Sequence, residues 1–155
     1  MPKLIANKKV YLVFATTIAN IAAPTVAELT GGTNLTNLLV TIDASTRGNV
    51  VATPTLDTTF ETSIAGTVTA SFTAEFYRDD ISANDKAWTT LPRGTNGFFV
   101  ISRMSPTVAA TNKVEVWPVQ VISRTAIALA NNDSQRMSIE CAVYAEPNEA
   151  AVVAA

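Results

Sequence analysis

Side chains able to do chemistry are few in this chain, and their spacing suits little of it. There is no histidine. That removes the commonest general base and the commonest metal ligand. A Ser-His-Asp triad and a Cys-His pair are ruled out, and one cysteine cannot supply a zinc site. Asp79-Asp80 is the only adjacent acidic pair. It could contribute to a hard cation such as calcium, but an oxygen cage takes six or more ligands. The other ligands are missing, so the pair reads as a solvated turn ending a strand. Asp and Glu total 13, so counting leaves glycosidase-type carboxylate pairs open, yet no aromatic-lined acidic cluster supports them. Gly31-Gly32 and Gly94/Gly97 lack the spacing of phosphate-cradling loops. Cys141 cannot form an internal disulfide. It shares an alternating set with Met137, Ile139 and Val143 and reads as a small buried hydrophobe. The expectation is a protein without catalytic residues, metal or cofactor.

The elements that would position these side chains are mostly strands. From Gly66 to Tyr77, Val68, Ala70, Phe72, Ala74 and Phe76 alternate with Thr67, Thr69, Ser71, Thr73, Glu75 and Tyr77. Period two puts an apolar face on one side and a hydroxyl-rich face on the other. Residues 9–14 read as a buried strand, although Lys8-Lys9 before an apolar run loosely imitates a signal peptide. Residues 24–31 suggest a helical turn with Pro24 at its first position and Gly31 at its end. Leu35–Asp43 reads as a strand, and Asp43–Gly48 as a turn cluster. Ser82 can cap a short helix with Asp85 three residues on, and Trp88 and Leu91 share one of its faces. Gly94 and Gly97 bracket a turn. Phe98–Ile101 has no alternation, so both faces of that strand are expected to be buried. Residues 113–123 and Arg136–Ala145 are two more strands, and Pro118 places the first at a sheet edge or a bulge. Residues 146–155 read as an Ala-rich tail. Some six strands and one short helix describe a mainly β single domain, a β-sandwich or partly closed barrel with one flanking helix.

Residues 44–65 are the odd part. They carry no long pattern, and connections of this length are rare in compact domains unless functional or disordered. They hold few charges and include Val50, Val51, Leu56, Phe60 and Ile64, so disorder fits poorly. Two readings fit equally: an extended arm packed on a neighbouring subunit, or a hairpin lying on its own sheet.

The 155 residues suit one core. Charged residues make up only 15% and hydrophobic ones 48%, against roughly 25% charged in an average domain. Such a surface would be sticky in a monomer, which points to burial against copies of itself. No apolar run approaches the roughly 20 residues of a membrane helix. A net charge of −2, without clustered Lys and Arg, gives no nucleic-acid-binding surface.

Several segments, in order, resemble the major tail (tube) proteins of long-tailed phages, particularly those of actinobacteria. They are Leu56–Glu61 running into Ile64–Thr67, Phe76–Asp80, Ala87–Leu91 with Arg93-Gly94-Thr95, and Val114–Val119 with Ser123-Arg124. Ala151–Ala154 resembles a frequent ending there. The resemblance implies a structural virion subunit. Six copies would form a ring, adjacent copies would complete a β-barrel around a lumen for duplex DNA, and rings would stack into the tail. Partners would be further copies, the tape measure, terminator and distal tail proteins, and DNA passing without specific binding; no membrane is involved. Stacking would use an arm at residues 1–9, a long loop at 44–65 and the tail at 146–155. Contact residues would include Lys3, Leu4, Ile5, Arg47, Val50, Val51, Leu56, Asp57, Phe60, Val152 and Val153. The lumen would be lined by Thr67, Thr69, Ser71, Thr73 and Glu75, with Glu115 and Glu140 as further candidates. Acidic and hydroxyl side chains there would repel phosphates and avoid counterion release. That face could also simply meet solvent.

Two rivals stand beside this. An exported pilus or surface-array subunit would lose roughly its first 20 residues on export. A capsid-decorating or tail-completion protein would differ in ring order and copy number.

Overall fold

The computed structural model describes residues 7–155. Eight strands form one sheet: β1 (Tyr11–Ala15), β2 (Thr33–Asn34), β3 (Leu39–Ala52), β4 (Ser63–Tyr77), β5 (Asn96–Ser102), β6 (Lys113–Ala126), β7 (Arg136–Val143) and β8 (Asn148–Val152). Their order is β2-β1-β5-β6-β7-β4-β3, with β8 added to β6. All pairings between strands are antiparallel. Two short helices, α1 (Val26–Gly31) and α2 (Lys86–Thr90), and a 3-10 turn at Thr36–Leu38 complete the chain. The mainly β expectation holds, with two helices in place of one.

The sheet is rolled but not closed. Phe72 on β4 stacks on Phe99 of β5, ring centroids 4.7 Å apart. Those strands are three places apart in the sheet, so only curling brings them together. The interior so formed holds Leu12, Phe14, Phe72, Phe76, Phe99, Trp117 and Ile139, with Ala87 and Leu91 bringing in α2. A second apolar cluster lies on the other face of β1, β5 and β6. It is built from Tyr11, Val13, Leu29, Val100, Val116, Ala151 and Val153. β5 therefore has apolar side chains buried on both faces, as its unbroken run predicts.

Several local expectations shift. Asp43–Gly48 is no turn: it lies within β3, in register with Val68–Thr73 of β4. Backbone pairing with a long, strongly patterned strand overrides weak turn preferences. The stretch 44–65 is accordingly not one loop but the outer half of a hairpin whose tip is residues 53–62. Residues 146–155 are not a tail, since β8 pairs with β6 and Thr25 bridges to Ala154. Pro118 lies in a central strand. It sits where β6 changes partner from β8 to β7, so its missing N–H falls between them. Gly97 belongs to β5, where a Cβ would come within 2.4 Å of the Phe14 ring. Gly94 makes the turn, with φ +93°.

α1 starts one residue after the cap Thr25, not at Pro24. Thr25 and Glu28 form a capping box: the Thr25 Oγ1 accepts from Glu28 N–H at 3.2 Å, and Glu28 Oε2 accepts from Thr25 N–H at 2.9 Å. Glu28 Oε1 also accepts from Ala19 N–H at 2.9 Å. The N–H donors of Thr25 and Ala19 hold the Glu28 carboxyl below its usual pKa. A pKa lower in the folded chain gives stability that is present above the ordinary carboxylate range and fades as pH falls through the folded value. Glu28→Ala should cost roughly 1 kcal/mol at pH 7. The gap from wild type should close below about pH 4. Urea titrations at both pH values check this; an equal gap at both would count against the cap.

Candidate functional site

The surfaces that could carry an assembly are the outer face of the roll, the projecting hairpin and the two chain ends. The outer face is set by strand parity. In β4, Phe72, Ala74 and Phe76 are buried, so Thr67, Thr69, Ser71, Thr73 and Glu75 point outward. Their partners on β3 are Arg47 opposite Thr69, Ser45 opposite Ser71, Asp43 opposite Thr73 and Thr41 opposite Glu75. On β7, Glu140 lies opposite Thr73 and Ser138 opposite Glu75. All five β4 residues thus share one curved hydroxyl-rich face. Its charges are three carboxylates (Asp43, Glu75, Glu140) and two guanidiniums (Arg47, Arg136). Glu75 is not free: Arg136 donates to its Oε1 at 2.7 Å. Glu115 does not belong to this wall. It shares the parity of Trp117, on the interior side, and accepts from Arg103 Nε at 2.8 Å.

The hairpin projects apolar groups into solvent. Val50, Val51, Leu56, Phe60, Ile64 and Val68 are all exposed, Leu56 and Phe60 at 111% and 78%. An apolar patch of this kind marks an interaction surface. A bulge at Gly66-Thr67, opposite Asn49, separates this arm from the body of the sheet. Arg47 is exposed at the base of the arm, and Asp57 lies at its tip. Val152 is also exposed, but Val153 is 2% exposed and packs in the chain's own second cluster. Val153 therefore offers no side chain to a neighbour, which corrects one expected contact. Lys3, Leu4 and Ile5 lie outside the described residues.

Sequence reasoning missed one cluster. Arg78 and Arg124 stack on opposite sides of the Trp88 ring, 3.9 and 3.8 Å from its centroid. Asp85 is not the third residue of a capping box. It precedes α2 and makes two bonds with Arg78, at 2.8 and 2.9 Å. The Arg-x6-Asp spacing across a strand end was the available signal. This cluster docks α2, and Arg78 also lines an open groove of about 410 Å³ with Asp79, Asp80, Ser134 and Gln135.

Among the described residues, no group of three or more His, Cys, Asp or Glu side chains converges as a metal site would require. Cys141 is buried, and burial with Glu140 nearby pushes its thiol up to about 12, far from a reactive thiolate. No described helix is long and apolar enough to cross a membrane.

A family model described as phage tail tube protein matches residues 1–155. The chain belongs to the phage tail tube protein family. As a tail tube protein it is a structural component of the virion tail and not an enzyme. Solved structures share the tail tube fold at low identity. The tail of an empty gene transfer agent particle, refined helically with C6 symmetry, is 12% identical with a TM-score of 0.59. The match covers 92% of this chain and 96% of that one. The virion of a native gene transfer agent particle gives 12%, 0.55, 92% and 95%. The six-fold symmetrised baseplate of an anti-feeding prophage gives 10%, 0.54, 96% and 96%. A search of curated proteins found no match.

Proposed function

We propose that six copies of this tail tube protein form a ring around a lumen for duplex DNA, and that the rings stack into the tail. The observation that carries this is a pair of open sheet edges on one curved wall. Among the described residues, β3 has a partner on one side only. β6 pairs with β5 as far as Gln120, and Val121 bonds with Gly94 and Thr95, so among the described residues its continuation from Ile122 to Ala126 is open on that side. Between these edges run four strands, β6-β7-β4-β3. Joining β3 of one copy to β6 of the next satisfies both edges and continues the sheet. The six-fold symmetry of the structures with this fold supports the copy number.

The hydroxyl-rich face fits the inside of that wall. It carries a slight excess of carboxylate, with Arg136 engaged by Glu75 and Arg47 as its remaining cation. Phosphates gain little counterion release on such a surface, so DNA slides without sticking. Arg47 departs from a purely acidic wall, and Asp43, four residues before it on the same face, offsets it.

Helical reconstruction of the tail tests this. Six-fold rings with Thr69, Ser71 and Thr73 on the lumen side are expected. The same face found on the tube exterior would overturn the lumen assignment. Rings joined without the β3 edge would overturn the closure. Negative-stain images of the concentrated recombinant protein should show rings or tubes with six-fold end views.

A further inference from the structure

The hairpin tip needs a receiving surface. We infer that it is the slit where the rolled sheet fails to close, and that the occupant of the slit is the tip of a second copy. This rests on the tube reading above.

The slit is a groove of about 520 Å³ between the start of β3 and the ends of β1 and β5. Val10, Leu39, Ile42 and Ile101 give it apolar walls, and Lys8 and Arg103 stand at its rim. Arg103 is steadied by Glu115. Lys8 has no carboxylate partner among the described residues. The hairpin tip is its complement. Residues 53–62 carry Leu56 and Phe60, both exposed, beside Asp57 and Glu61, with no Lys or Arg.

Charge decides between the two large grooves. The other, about 740 Å³, is lined by Glu146 and Glu149 along with Val68, Val143 and Tyr144. An acidic tip entering it would meet two carboxylates, and like charges at a contact suppress it. The slit offers the opposite sign and equal apolar cover.

Placement agrees. Slit and tip lie at opposite ends of the same strand pair, because Leu39 opens β3 and the tip follows its end. A contact between unlike ends of one element is head-to-tail, and directed along the strand pair from one ring to the next it propagates rather than closes. Edge pairing then builds the ring, and the tip-to-slit contact builds the stack. Edge pairing uses the backbone of β3, whereas docking uses side chains of the slit and the tip, so a charge reversal at the tip leaves the edge intact.

The test uses the full chain carrying Phe60→Cys and Lys8→Cys, assembled and treated with a short bis-maleimide. Cys141 is buried with its thiol pushed up to about 12, so the new thiols are the reactive ones. A ladder of linked chains is expected on a denaturing gel, with neither single variant giving one. Assembled tubes without a ladder would overturn the docking and leave the tube reading intact. So would a linked dimer from either single variant, since one reactive thiol per chain can join no more than two chains. Failure of the wild-type protein to form rings or tubes, in the virion as well as alone, would remove both. If the double variant does not assemble, charge reversal decides. Asp57→Lys with Glu61→Lys should raise the concentration needed for stacking about tenfold, equivalent to about 1.4 kcal/mol, while rings persist. Adding Lys8→Glu should recover most of that loss. Unchanged stacking in the reversed-tip protein, or no recovery with Lys8→Glu, overturns the proposal.

Discussion

Phe72→Ala should lower the unfolding free energy by about 3–5 kcal/mol. Phe72 is fully buried and stacks on Phe99 at 4.7 Å, with Trp117 tilted against it at 6.1 Å. Phe99 in turn meets Phe14 of β1 at 5.0 Å. One ring thus joins the β4 side of the roll to the β1–β5 side. Its removal leaves a cavity and separates layers that no neighbouring pairing holds together. Domains of this size have roughly 5–15 kcal/mol in total, so much of the stability goes. Urea denaturation followed by tryptophan fluorescence reports it, because Trp117 lines the same interior. Phe72→Leu, which keeps most of the volume, should recover more than half. A loss under about 1 kcal/mol would mean the roll closes by other contacts.

Asp85→Ala is expected to cost about 2–3 kcal/mol. The carboxylate is nearly buried and holds Arg78 through two guanidinium nitrogens. Its removal leaves two guanidiniums facing each other across Trp88 with no counter-charge in hydrogen-bond contact. The figure lies below that for a fully buried pair because Arg78 keeps some solvent. Asp85→Asn retains one acceptor and should lose about half as much. Loosening should be local: α2 carries Ala87, and Leu91 follows it, both in the interior. Hydrogen exchange at Thr89 and Leu91 should rise before that of β5. Uniform exchange gains across the sheet would show that the cluster is not a local latch.

Much of this fold was legible because burial imposes periodicity. β4 alternates along its length, since one face meets the interior and the other does not. The unbroken run in β5 announced two covered faces. The outer half of β3 was not legible. Asp43, Ser45, Gly48 and Asn49 prefer turns, and the segment is extended only because β4 supplies its hydrogen bonds. β8 was missed for a related reason. Ala-rich residues carry no strand signal, and Ala151 and Val153 become core only against β1 and β6. Of the assembly surface, the apolar excess of the hairpin could be read from composition. Its receiving slit could not, because Lys8, Ile42 and Ile101 meet only through the roll. Val153 enters the expected contacts only through the resemblance, which gives residues 146–155 to stacking, and its burial depends on β1 and β6 closing over it.

The second apolar cluster has a consequence for synthesis. Its members come from both ends of the sequence: Tyr11 and Val13 emerge first, Ala151 and Val153 at residues 151 and 153. β1 also waits for β5, with Tyr11 paired to Ser102. A chain growing on the ribosome therefore holds its first strand with only the two-residue β2 as a partner until Ser102 has emerged. Such distant pairings are slow to form, and exposed strands invite misassociation in the meantime. A nascent chain shorter than about 153 residues lacks the pieces that cover Tyr11 and Val13, so that apolar face stays open to misassociation until they emerge.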